Sequence, residues 1–157
     1  MRKRIIIPIP ESVRVRAEGW LDVQRAATLE LTSEDEKYPI ESAFVFDEGR
    51  GWRAAESGPQ TVRLIFDEPQ TIERIQLIFE EEENSRTQEF ALRWSADGGH
   101  SFKQIVRQQW NFSPPQTKRE TEEYRVELLN TTVLELSIVP DIGGGSSRAS
   151  LKSMRLS

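Results

Sequence analysis

The chain has 157 residues, no cysteine, and a net charge of -5 from 21 basic and 26 acidic side chains. That length suits one ordinary domain spanning residues 1–157 with its own core, and the missing cysteines exclude disulfides, thiolate metal sites and cysteine nucleophiles. The acidic balance argues against a nucleic-acid partner or an anionic membrane surface, since both reward a basic patch.

The opening MRKRIIIPIP has a basic start, but its apolar stretch is short and interrupted by Pro8, so it does not read as an export signal. No later apolar run approaches the roughly 20 residues of a membrane span. A cytoplasmic location is the expectation. In the N-terminal quarter Val13 and Val15 alternate with polar neighbours, while Trp20 to Leu31 follows no clean period. It is read as strand, turn, strand.

From residue 62 the period is two. Val62, Leu64 and Phe66, then Ile75, Leu77 and Phe79, then Phe90, Leu92 and Trp94 alternate with polar residues, as half-buried strands do. Tyr124, Val126 and Leu128 repeat the pattern, and so do Leu134, Leu136 and Ile138, with weaker versions over 102–109 and 149–156. Turn-formers separate them: DEPQ, SADGG, NTT and DIGGGSS. The run Glu80, Glu81, Glu82, Glu83 lies between two strands and reads as a loop. Short, regularly spaced strands without a capped amphipathic helix predict an all-β antiparallel sandwich.

If successive strands are antiparallel, alternate connections share one end of the sandwich. The connections 47–60, 81–87, 110–122 and 140–148 then fall together, and they are longer than the turns DEPQ, SADGG and NTT at the other end. Long loops on a rigid scaffold are where binding residues concentrate.

The order SAFVFDEGRGWRAA, QTVRLIFDEPQTIERIQLIF, FALRWSADGGHSFKQIV and LELSIVPDIGGG, followed by a last strand, resembles the discoidin or coagulation-factor type C domains of the galactose-binding-like superfamily. The resemblance covers residues 42–156. It implies a jelly-roll sandwich of about eight strands, related to carbohydrate-binding modules, that meets its ligand, commonly a sugar, with loops at one end. It also implies a structural calcium held near the Asp-containing loop and by a Glu of the last strand. Here that strand reads ASLKSMRLS and has no Glu, so no cofactor is expected. Asp47, with carbonyls near Gly49, is left as the metal candidate, because calcium takes six to eight oxygens.

A sugar site needs an apolar face for the ring and fixed polar groups for its hydroxyls. Trp110 and Phe112 are candidates for the face, with Asn111 between them and Arg107 on the strand below, although aromatics at an open end of a sandwich also serve simply to plug it. Arg50, Glu82, Asn84, Arg86 and Asp141 belong to the same set of loops and are candidates for the hydroxyls. Trp52 matches the core Trp of the resembled family, and Trp94 is placed in the core by its alternation. His100, the only histidine, sits in the opposite hairpin, and no nucleophile-elbow signature accompanies it. The expectation is a non-enzymatic binding module for carbohydrate. The alternative is an intracellular protein-interaction module using the same aromatics as interface anchors.

Overall fold

The computed structural model describes residues 19–45 and 49–157. Val13, Val15 and Asp47 lie outside the described residues.

A single helical turn, α1 (Val23–Ala26), leads into β1 (Ala27–Leu31). Of the expected strand-turn-strand, the first strand falls outside the described residues and the last is present as β1, but a helical turn precedes it; only Val23 of VQRA is buried and Asp22 makes no side-chain cap, so little holds a longer helix. A short 3-10 helix over Ile40–Ala43 buries Ile40 and Ala43. The remaining elements are β2 (Trp52–Ser57), β3 (Gln60–Glu80), β4 (Arg86–Ser95), β5 (Lys103–Phe112), β6 (Arg119–Val139), β7 (Arg148–Leu151) and β8 (Ser153–Leu156).

β3 and β6 are each 21 residues long, and they pair antiparallel from Gln60 opposite Ile138 to Glu80 opposite Arg119. DEPQ and NTT were expected to separate strands. Instead they face each other inside this ribbon, where Gln70 still pairs with Thr131 while the register shifts on both sides and Asn130 takes a φ of 54°. Turn-forming residues opposed on two paired strands bend the ribbon without breaking its ladder. The bend folds the ribbon into two layers. Its first half, with β1, β4 and β5, forms a sheet in the order β1-β3-β6-β4-β5, and its second half carries β8 on the β3 side. Phe79, in the second half, meets Phe90 of β4 with ring centroids 5.1 Å apart, so the two halves stack face to face. β2 and β7 make a separate two-stranded sheet, tied to the second layer by the bond from the Lys152 amide to the Ile78 carbonyl.

The alternation read from the sequence is the core pattern: Val62, Leu64, Phe66, Ile75, Leu77, Phe79, Phe90, Leu92, Leu134, Leu136 and Ile138 are all buried. The outer face of the first sheet carries a row in which Arg63, Glu135 and Arg93 stand opposite one another on β3, β6 and β4. Glu135 is buried between the two guanidiniums, at 2.7 and 2.6 Å. Burial raises its carboxyl, but the bonds from Arg63 and Arg93 outweigh that and hold it below the usual range.

Candidate functional site

Three of the connections expected at one end do converge. A cleft of about 780 Å³ is lined by Arg50, Trp52 and Arg53 from the approach to β2 and from its start, by residues 80–84 after β3, and by Ser146, Ser147 and Arg148 with Ser150, Leu151 and Lys152 around β7; Tyr38 adds to the wall.

The basic wall rests on a close approach of two backbones. Gly51 takes a φ of 76°, and a side chain there would meet the Leu151 carbonyl at 2.6 Å and the Lys152 Cα at 2.8 Å. Only glycine fits both demands. This contact sets Arg50 beside Lys152. Strand alternation then does the rest: Trp52 points into the core and donates its indole N–H to the Ser33 carbonyl, so Arg53 points out. The Arg53 guanidinium lies 4.6 Å from the centre of the Tyr38 ring. Arg148 reaches Asp35 at 3.5 Å, and Lys152 reaches Glu80 at 3.9 Å.

The acidic wall is a turn held from beneath. One oxygen of Glu81 accepts the amides of Glu83 and Asn84, at 3.1 and 3.3 Å, and the other accepts from Arg86 Nε at 2.7 Å. Burial raises the Glu81 carboxyl, yet these bonds and the adjacent guanidinium bring it below its ordinary value, so it stays ionised. Arg86 is itself buried. Besides Glu81 it donates to Gln88 Oε1 and to the Pro140 carbonyl, and its guanidinium lies 4.7 Å from the centre of the Phe112 ring. One side chain thus braces both the 81–84 turn and the start of the 140–148 connection.

Of the residues expected to bind, Arg50, Glu82 and Asn84 line this cleft. The others stand elsewhere. Arg86 supports the wall from inside. Asp141 accepts the Gly143 amide and shapes its own turn. The aromatic platform is corrected at Phe112, which is only 1 % exposed; Trp110, paired with Gln88 across β4 and β5, is half-buried and packs against the core from the inner face. A buried ring has no face to offer a ligand, so Phe112 belongs to the core. Asn111 and Arg107 point outward, toward Thr87 and Glu89. Trp94 is half-buried, packed on the core with Lys103 beside its ring. No group of three or more carboxylate or imidazole ligands forms a metal cluster among the described residues.

The sequence reading missed Tyr38, Arg53, Arg148 and Lys152. Arg53 carried a usable signal, because a buried Trp52 on a strand forces its neighbour outward. Tyr38 carried none, since it reaches the cleft through a loop distant in sequence.

Comparison with solved structures places the architecture. A family 32 carbohydrate-binding module from C. perfringens NanJ, solved in complex with galactose, superposes with a TM-score of 0.65 over 87% of this chain and 96% of its own, at 13% identity. The shared fold is an antiparallel β-sandwich. A pectin-binding carbohydrate-binding module shares the fold with a TM-score of 0.60 at 17% identity, covering 83% of this chain and 89% of its own. So does a chain in the structure of reduced XRCC1 bound to the DNA polymerase β catalytic domain, with a TM-score of 0.59 at 15% identity over 85% of this chain and 95% of that one. No protein-family model matches the sequence, and no curated protein matches it.

Proposed function

We propose that the chain is a non-catalytic binding module that takes a carbohydrate in the cleft between the 50–53, 80–84 and 146–152 segments. The observation that carries this reading is the polarised cleft itself. Guanidiniums and an ammonium from Arg50, Arg53, Arg148 and Lys152 share it with carboxylates from Glu80, Glu82 and Glu83, and with Asn84 and three serines. A sugar hydroxyl both donates and accepts, so it uses a site that offers acceptors and donors together. Arg50 and Arg53 would donate, and Glu82 and Glu83 would accept. The fold shared with carbohydrate-binding modules supports the same reading.

The test is a glycan array probed with the wild type, Arg50→Ala and Glu82→Ala. Binding to a defined glycan class that both substitutions weaken at least tenfold is expected. No glycan above background, or binding indifferent to both changes, would overturn it.

One observation favours a second reading, a protein-interaction module. Among the described residues the cleft has no free aromatic face: Trp52 is buried and the Tyr38 ring carries Arg53. A discoidin-like sandwich in a structure of a protein bound to a polymerase domain fits that use. Affinity capture from native extract separates the two. A reproducible partner lost on Arg50→Ala, together with a silent array, would select this reading.

A further inference from the structure

We propose that the cleft is gated by a buried proton: ionisation of Glu120 inside the sandwich draws Arg86 off Glu81 and loosens the 81–84 turn that forms the acidic wall. The proposal rests on the cleft being the binding site, but its mechanism concerns the wall and is testable without a ligand.

The inner faces near this end hold polar groups where a sandwich ordinarily holds apolar ones. Glu120, Glu122 and Tyr124 alternate on β6, and the strand parity that buries Glu120 points all three toward the other layer. Facing them are Arg86 and Gln88 from β4, with Gln108 and Trp110 from β5. Gln108 donates to Glu122 Oε1 at 2.6 Å, and the Tyr124 hydroxyl donates to Gln108. Glu120 is fully buried, and as a carboxylate its Oε2 has no donor to accept from. A buried carboxylate left short of partners is costly, whereas the protonated acid is far less so.

Glu120 therefore stays protonated well above the ordinary carboxylate range. Burial is the main cause, followed by its hydrogen bond with Glu122 and the charge there, and together they push it up to about 8. The charged and titratable groups that act on it are Glu122 and Tyr124 on its own strand and Arg86 on β4. β5 contributes only the uncharged Gln108 and Trp110, and β3 places Phe79 opposite it.

A short relay connects this carboxyl to the cleft. Glu120 Oε1 lies 3.4 Å from Gln88 Nε2, Gln88 Oε1 accepts from Arg86 at 3.1 Å, and Arg86 Nε donates to Glu81. Glu81 in turn holds the amides of Glu83 and Asn84. While Glu120 is neutral, the guanidinium has one carboxylate to serve. Once Glu120 loses its proton, a second negative charge stands at the inner end of the relay and competes for the same cation. Glu81 then holds the turn less firmly, and the acidic wall opens.

The test follows the backbone ¹⁵N and ¹H shifts of Glu83 and Asn84 by NMR from pH 5 to 9.5. In the wild type both amides are expected to titrate with a midpoint near 8. In Glu120→Gln, which keeps the shape and stays neutral, that titration disappears. In Glu122→Gln, which removes the repelling neighbour, the midpoint falls by a unit or more. The second variant also tells Glu120 from any amine titrating in the same range, whose midpoint it would not move. Amides that do not titrate in the wild type, or a titration unchanged in both variants, would overturn the proposal. A silent glycan array would leave this result standing, so the two readings fail separately.

Discussion

Replacing Gly51 by alanine tests whether the basic wall of the cleft depends on two backbones passing closely. Two costs are expected. The first is conformational: an L-residue at a φ of 76° sits in the left-handed region, at about 1–2 kcal/mol, offset by about 0.4–1 kcal/mol from the stiffer unfolded chain. The second is steric, because the new methyl would stand 2.6 Å from the Leu151 carbonyl and 2.8 Å from the Lys152 Cα. Those atoms are backbone and cannot swing away, so overpacking adds about 1–3 kcal/mol. Gly98 supplies the control, since it has the same φ of 76° and a methyl placed on it would meet nothing within 4 Å. Gly98→Ala carries the first cost alone. Urea unfolding of both variants should therefore separate them by about 1–3 kcal/mol, with Gly51→Ala the less stable. Equal midpoints would refute the close-approach argument, and with it the account of how Arg50 is placed beside Lys152.

Phe79→Ala should cost about 3–5 kcal/mol, because it leaves a cavity against Phe90 between the layers; a loss under about 1 kcal/mol in thermal unfolding would show that this pair does not join them. Two buried carboxylates give stability opposite pH slopes. Glu135 has a depressed folded value, so its contribution is present above its unfolded value near 4.5 and is lost as pH falls; Glu135→Gln should flatten the acid limb of a stability-pH curve. Glu120 has a raised one, so its favourable state is complete below about 4.5 and stability declines, by at most about 1.4 kcal/mol per pH unit, as pH rises toward about 8. Glu120→Gln should remove that decline, and an unchanged alkaline limb would count against burial of the charge. Arg107→Ala breaks only an exposed pair with Glu89, so the unfolding midpoint should not shift measurably and ligand binding in the cleft should not change.

Much of the fold is legible from alternation alone, because each strand buries one face and the period-two pattern is the record of that burial. Loop parity was legible too, and Arg50, Glu82 and Asn84 reached the cleft by that reasoning. Two things were not. DEPQ and NTT carry the composition of ordinary turns, and nothing local says that they lie opposite one another and bend a ribbon whose pairing continues through Gln70 and Thr131. The direction of Trp110 and Phe112 was equally hidden. Both lie on one face of β5, and only the pairing of that strand with Arg86 and Gln88 of β4 reveals that the face is the inner one.

The folded ribbon also governs how the chain can assemble. β3 and β6 belong to both layers, so neither layer is a separable piece, and the residues that join them lie far apart in sequence, from Glu80 with Arg119 to Gln60 with Ile138. The β4–β5 hairpin occupies the interval at the nearer end. Closure is least costly there, and each further pair is then held close by the one before it. The ribbon is thus expected to zip from the cleft-side end, past the bend, and only then to complete the first sheet. Long-range pairing of this kind folds slowly, and the segment that must form early is the one bearing the acidic wall.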